Sequence, residues 1–223
     1  MNTALWDVYA RCYDAVARLR PYEKMVLEIA REVPERPGRV LDAGCGTGNL
    51  TRALAAKHPR EIVAADLSAA MLRRSQRKNP GATYVRADLD GDLAEVSGVF
   101  DVIVCGHVLY ALADPARTLA TLKSRLAPGG RLVLTTPRAG ARMGPIVREH
   151  GILALWRFIL PLLVVGVINA RILRTSSYHF LTRDELSGLL GAAEIRPTYS
   201  GQSWLAVYST GPELDLTNGS RLS

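Results

Sequence analysis

Arg39-Val40-Leu41-Asp42-Ala43-Gly44-Cys45-Gly46-Thr47-Gly48-Asn49-Leu50 is the stretch that decides the fold. An apolar run passes a carboxylate, turns through three glycines and enters a helical pattern, which predicts a strand, a tight loop and a helix N-terminus suited to a nucleotide-like ligand. Glycine at 44, 46 and 48 lets the backbone take positive φ and lets a ligand approach the main chain. The spacing is Gly-x-Gly-x-Gly; a dinucleotide fingerprint wants its third glycine where this chain has Asn49. A phosphate-cradling loop wants Gly-Lys-Ser/Thr, and this stretch has no lysine. Asp42 would repel a phosphate but suits a ligand that carries an ammonium group.

Moving outward, Glu61-Ile62-Val63-Ala64-Ala65-Asp66 reads as a second buried strand ending in a carboxylate. Asp66 lies 18 positions after Gly48, near the spacing at which an acidic residue accepts hydrogen bonds from ribose hydroxyls. An N-cap for a helix over 69–77 is its other reading, although Ser68 serves that purpose equally well. Thr83 to Leu89 reads as a third strand with Asp88 near its end, Phe100 to His107 as a fourth, and Arg131 to Thr136 as a fifth. Asp42, Asp66 and Asp88 thus line the carboxyl edge of a parallel sheet, where open α/β sheets bind ligands.

These elements together resemble the class I S-adenosylmethionine (SAM)-dependent methyltransferases. Val40 to Leu50 looks like their motif I, and Leu126-Ala127-Pro128-Gly129-Gly130-Arg131-Leu132 is similar to a run typical of the superfamily. The resemblance is tight over 38–138 and loose at both ends. It implies a Rossmann-like doubly wound α/β sheet, mostly parallel with an antiparallel C-terminal strand, and SAM as cofactor. It also implies that Asp42 and the loop Gly44, Cys45, Gly46 and Gly48 hold the methionine moiety, and that Asp66 holds the ribose. Leu67 and Met71 would stand beside the adenine, with ordinary core the equal alternative for Met71; Asp88 and Leu89 would bond the adenine. Tyr9, Tyr13 and Asp14 form a Tyr-x-x-x-Tyr-Asp similar to the N-terminal lid of ubiquinone/menaquinone-type and phospholipid methyltransferases. That places Tyr13 over the cofactor and Tyr9 on the substrate side. His107 and Tyr110 fall at the methyl-transfer edge, with His107 the expected general base on its ordinary near-neutral pKa. Packing against the cofactor is the alternative role for His107. In the family a histidine often stands where this chain has Tyr110.

Residues 4–33 carry apolar positions at helical spacing, with a break expected at Arg20-Pro21. Residues 139–178 depart from a minimal core. Ile152 to Ile168 is apolar on all sides apart from Arg157 and holds Pro161. It is shorter than the roughly 20 residues of a spanning helix. Arg142, Arg148, Arg171 and Arg174 flank it. An apolar patch ringed by arginine fits an anionic membrane surface over 142–174, a lid over a lipophilic substrate, or a dimer interface. His150, Tyr178 and His179 enter the substrate pocket on this placement. Thr182 and Glu185 form a capping box opening a helix to Ala193, and 195–199 and 204–210 close the sheet. The expected parts are a lid (1–37), a cofactor core (38–138), the insert (139–178), closing elements (179–210) and a flexible tail (211–223).

The 223-residue chain is 48% hydrophobic and carries a formal net charge of +7, mostly from arginine, since lysine occurs only at 24, 57, 78 and 123. That balance favours anionic partners. The Asn/Asp-Pro-Pro-Tyr pattern of nucleic-acid amino-methyltransferases and the Pro-Cys nucleophile of cytosine enzymes are both absent, which lowers the weight of nucleic acid. Cys12, Cys45 and Cys105 form no CxxC and no metal-ligand pattern, so a reducing cytoplasm is expected, with peripheral membrane contact through the insert. Met1 to Tyr9 is polar and carries Asp7, unlike a signal peptide. The expected activity is methyl transfer to a lipophilic small molecule, first a phospholipid amine headgroup. A quinone or polyketide C- or O-methyltransferase is the alternative. A SAM- or dinucleotide-binding protein without transfer activity is the alternative of a different class.

Overall fold

The computed structural model describes residues 10, 13, 14, 17–151 and 178–211. Seven strands form one sheet: β1 (Arg39–Ala43), β2 (Glu61–Asp66), β3 (Thr83–Arg86), β4 (Phe100–Gly106), β5 (Leu126–Pro137), β6 (Ala193–Thr198) and β7 (Ser203–Ser209), in the order β3-β2-β1-β4-β5-β7-β6. β1 to β5 pair in parallel, and β7 runs antiparallel to both β5 and β6. The doubly wound sheet with an antiparallel C-terminal strand expected from the sequence is therefore observed.

Local chemistry explains the helices. In α1 (Arg20–Arg31), Pro21 sits in the first turn, Glu23 follows there and Arg31 closes the last turn, matching the helix dipole at both ends. The expected break at Arg20-Pro21 is thus a helix start, because a proline N–H would be unpaired there anyway. α2 (Asn49–Ala55) follows the glycine loop directly. Ser68 caps α3 (Ala69–Lys78), its hydroxyl accepting from Met71 N at 3.1 Å. Asp114 caps α4 (Pro115–Ser124) in the same way. α5 (Met143–His150) has no side-chain cap, and α6 (Arg183–Leu190) opens on the complete Thr182–Glu185 capping box. It stops at Leu190 rather than Ala193, because Gly191 takes φ +74° and turns the chain into β6.

Apolar residues of β1, β4 and β5 point to both faces, as parallel strands covered on two sides require. Leu19, Tyr22, Met25, Ile29, Leu50 and Leu54 pack on one face. Leu119, Leu122, Leu186 and Leu190 of α4 and α6 pack on the other. The chain walks outward through β2 and β3, then returns to lay β4 on the opposite side of β1. The carboxyl ends of β1 and β4 therefore border the crevice at which such sheets bind ligands.

Strand boundaries at β4, β6 and β7 shift by one or two residues from expectation, and two others shift further. β3 ends at Arg86, so Asp88 lies beyond the strand, where its Oδ1 accepts from Asp90 N at 3.0 Å. β5 begins at Leu126, and the Pro-Gly-Gly run is absorbed as a register shift opposite Phe100 and Val102. Tyr9 and 152–177 lie outside the described residues, so most of the expected insert does too. Among the described residues no helix is long and apolar enough to cross a membrane.

Candidate active site

Asp42 and Ala43 end β1, and the chain turns through Gly44, Gly46 and Gly48 at φ +79°, +53° and +82°. The glycines are needed for different reasons. A Cβ on Gly44 would stand 2.3 Å from Val108 Cγ2, and one on Gly48 2.3 Å from Ser75 Oγ and 2.6 Å from Asn79 Nδ2. Among the described residues a Cβ on Gly46 meets nothing within 4 Å, so this residue keeps space open rather than fitting a tight contact. Gly44 N and Cys45 N both donate to Ala65 O, tying the loop to β2.

Asp42 is fully buried. Its Oδ2 accepts from Thr51 Oγ1 at 2.6 Å, whereas its Oδ1 is buried with no hydrogen-bond partner among the described residues. Burial pushes its pKa up to about 7, partly offset by the Thr51 hydrogen bond and reinforced by Asp66. Tyr13, Tyr22, Met25, Cys45, Gly46, Leu50 and Gly106 share a cleft with Asp42. A buried carboxylate oxygen with no partner beside a glycine that holds space open fits an ammonium-bearing ligand. A phosphate does not fit the same carboxylate.

Asp66 ends β2, and its Oδ2 accepts from Gly46 N at 2.9 Å while Oδ1 accepts from Ser68 N at 2.8 Å. It thus joins the glycine loop to the start of α3. Leu67 O accepts from Arg86 Nε, and Met71 is deeply buried as a core side chain would be. Leu89 is buried, and its carbonyl accepts from Thr118 Oγ1.

Asp14 was legible only as part of the tyrosine motif, and its partners were missed. Its Oδ1 accepts from Thr47 Oγ1 at 2.7 Å and from Lys78 Nζ at 2.6 Å. Burial alone would raise the Asp14 pKa, but the Lys78 and Thr47 hydrogen bonds and the Lys78 charge outweigh it and hold the carboxyl low. The N-terminal segment is thereby clasped to the glycine loop. Beside it, Tyr13 Oη and Tyr22 Oη are 3.1 Å apart. Tyr22 stacks edge-on with Tyr199, and Tyr199 edge-on with His107, at centroid distances of 6.5 and 5.3 Å. This aromatic row spans α1, the β6–β7 turn and the end of β4. Neither Tyr22 nor Tyr199 carried a sequence signal beyond apolar periodicity.

His107 takes φ +54°, and its Nε2 lies 2.9 Å from Ser203 Oγ. Burial lowers its pKa to about 4. The ring is therefore neutral throughout the physiological range and weakly basic, which corrects the near-neutral pKa on which its expected base role rested. Tyr110, in the 3-10 turn Leu109–Ala111, stacks at a tilt with Tyr178 and Phe180, at 6.0 and 5.7 Å. His179 N donates to Tyr110 O at 2.7 Å. Tyr110, Tyr178 and His179 are thus brought together, while His107 sits with Tyr199 and Ser203. His150 is the last residue of α5.

A doubly wound sheet whose switch point holds a glycine loop, a buried carboxylate and a second carboxylate on the next strand defines a Rossmann-like protein for a nucleoside-type ligand. The model for the methyltransferase domain family matches residues 11–193, and the chain belongs to that family, the class I SAM-dependent methyltransferases. It is 39% identical over 108 residues to trans-aconitate 2-methyltransferase of Deinococcus radiodurans, covering 47% of this chain and 40% of that protein. It is 29% identical over 191 residues to demethylmenaquinone methyltransferase of Symbiobacterium thermophilum, covering 80% and 75%. The chain spans half or less of the length of the first curated relatives it matches, among them trans-aconitate and malonyl-[acyl-carrier protein] methyltransferases. The fold is shared with the N-methyltransferase NodS of Bradyrhizobium japonicum, solved with S-adenosyl-L-homocysteine (SAH), at a TM-score of 0.61, 15% identity, and coverage of 88% and 90%.

Proposed function

We propose that the protein transfers a methyl group from SAM to a lipophilic small molecule. The carrying observation is the buried, unpartnered Oδ1 of Asp42 beside the open space at Gly46. On this proposal Asp42 takes the amino-acid ammonium, Gly44 to Gly48 pack against the methionine chain, and Asp66 exchanges part of its loop hydrogen bonding for the ribose hydroxyls. Asp88 and Leu89 flank the adenine, and Tyr13 covers the site. SAM supplies an electrophilic methyl on a sulfonium. The protein's contribution is to position the acceptor in line and exclude water. His107, neutral and bonded to Ser203, orients the transfer edge rather than removing a proton.

Among lipophilic acceptors, a quinone- or polyketide-type ring is favoured. The tilted stack of Tyr110, Tyr178 and Phe180 presents flat aromatic surface beside the end of β4. The match to demethylmenaquinone methyltransferase extends over 80% of the chain. A phospholipid amine is the second reading. Exposed Arg142 and Arg148, leading into the apolar 152–168 run, favour it and fit contact with an anionic membrane surface.

Incubation with methyl-labelled SAM and a total lipid extract, followed by separation of products, tests both. Label in a ring-bearing lipid is the expected result. Label only in phospholipid amines would move the acceptor to the second reading, and no label despite SAH binding would mean a binding protein without transfer. Salt-sensitive flotation with anionic liposomes tests the membrane contact; its absence would leave the insert as a substrate lid.

A further inference from the structure

Among the described residues, four buried side-chain polar atoms have no hydrogen-bond partner: Asp42 Oδ1, Thr135 Oγ1, Thr136 Oγ1 and Arg138 Nε. The last three lie within the carboxyl end of β5 and the residue after it. Orphaned buried polar groups cost on the order of 1–3 kcal/mol each, so their clustering at a sheet's ligand-binding edge calls for a ligand.

Successive residues of a strand face opposite sides, so Thr136 and Arg138 share a face. Thr136 is opposite Trp204 in the β5–β7 ladder and fully buried. The Arg138 guanidinium lies over the Trp204 ring, 5.9 Å from its centroid. Arg138 N donates to Gln202 O, and Arg138 bridges Leu181, whose carbonyl accepts from Trp204 Nε1. Among the described residues Arg138 makes no ion pair, although Arg39, Arg74, Arg131 and Arg196 each do. Phe180 precedes Leu181 and stacks on Tyr110. Residues 178–181 therefore join an aromatic wall, Tyr110 and Phe180, to a fixed, uncompensated guanidinium with a free hydroxyl beside it.

We infer that Thr136 and Arg138 form an anion-recognition subsite for the methyl acceptor, selecting a planar molecule that carries a carboxylate. The inference rests on the proposed methyl-transfer function and adds the charge of the acceptor to it. The Trp204 ring anchors the guanidinium by cation–π attraction, and the fork of guanidinium donors suits two parallel N–H···O bonds to a carboxylate. Thr136 Oγ1 supplies a further donor, and the ring of the ligand meets Tyr110 and Phe180.

The test is calorimetric titration with 2-naphthoate and its neutral counterpart 2-naphthamide, with and without saturating SAH. The wild type is expected to bind naphthoate at least tenfold more tightly. Arg138→Gln abolishes that preference with naphthamide and SAH affinities unchanged, Arg138→Lys retains part of it, and Thr136→Val weakens naphthoate about threefold. Arg183→Gln, at an exposed position, leaves the preference intact. Equal affinity of the wild type for the two probes, no binding of either, or a preference that survives Arg138→Gln would overturn the subsite. The wild-type comparison decides even if a variant fails to fold. Failure to bind SAH would overturn the methyltransferase proposal alone, because the probe pair is also read without it.

Discussion

Gly46 N donates to Asp66 Oδ2 at 2.9 Å, so the carboxylate at the end of β2 holds the middle of the loop that follows β1. A ribose at this edge would meet a carboxylate already engaged with the loop. Asp66→Asn therefore affects binding twice, through the lost charge and through a loosened Gly46. SAH affinity is expected to fall at least tenfold, about 1.4 kcal/mol or more. Unchanged affinity by calorimetry would show that Asp66 serves only the loop and the start of α3.

Gly46 and Gly48 separate ligand space from fold. Both sit at positive φ, where a non-glycine residue costs about 1–2 kcal/mol. At Gly48 the added Cβ also meets Ser75 Cα at 2.9 Å, a backbone atom that cannot swing away. Gly48→Ala is expected to lose about 2–3 kcal/mol in urea unfolding. Gly46→Ala loses only the φ cost, about 1 kcal/mol, but blocks the space beside Asp42 and abolishes SAH binding. Equal losses of stability, with SAH binding retained in Gly46→Ala, would contradict this division.

The Asp14 clasp links the segment before Pro21 to the glycine loop. Asp14 and Lys78 are both about a third exposed, so their ion pair contributes at most about 1 kcal/mol. The expected effect of Asp14→Asn is therefore on ordering rather than global stability: several-fold weaker SAH binding and faster proteolysis before Pro21. Limited proteolysis with and without SAH measures this. Identical cleavage rates in variant and wild type would mean that the Thr47 and Lys78 contacts do not hold the N-terminal segment.

Asp42 and His107 make opposite contributions to pH dependence. The folded Asp42 pKa is raised from 3.8 to about 7, so its protonated form favours the fold. That contribution is full below the unfolded value and is lost as pH rises towards 7, with a slope up to about 1.4 kcal/mol per pH unit. His107 is lowered from 6.5 to about 4. Its contribution is full above the unfolded value and is lost as pH falls from 6.5 to 4. Urea unfolding from pH 4 to 8.5 should show Asp42→Asn gaining on wild type as pH rises, and His107→Gln gaining as pH falls. Parallel stability curves for all three proteins would remove both assignments.

The glycine-loop edge of the sheet was legible because its chemistry is local in sequence. The glycine spacing, Asp42 and Asp66 all follow strands readable as apolar runs, and the Thr182–Glu185 box announces its helix. Asp88 was placed on a strand because apolar residues recur at Val85, Ala87 and Leu89, although pairing with β2 stops at Arg86. The surroundings of His107 and Arg138 were not legible. Tyr22, Tyr199, Ser203 and Trp204 become neighbours of His107 and Arg138 only through the β5–β7 ladder and the aromatic row, and no local pattern marks them. The basicity of His107 was misjudged for the same reason: its burial comes from distant segments. Arg138 stood just beyond a strand pattern and gave no sign that its guanidinium would make no ion pair among the described residues.

Calorimetric titration of SAH into the wild type and Asp42→Asn at pH 8 tests the central claim most directly. The wild type should bind SAH one to one and ignore NAD, and Asp42→Asn, folded and at least as stable at that pH, should bind at least tenfold more weakly. Equal SAH affinity in the two proteins, or binding of NAD in place of SAH, would contradict the assignment of the buried carboxylate and its glycine loop to the cofactor.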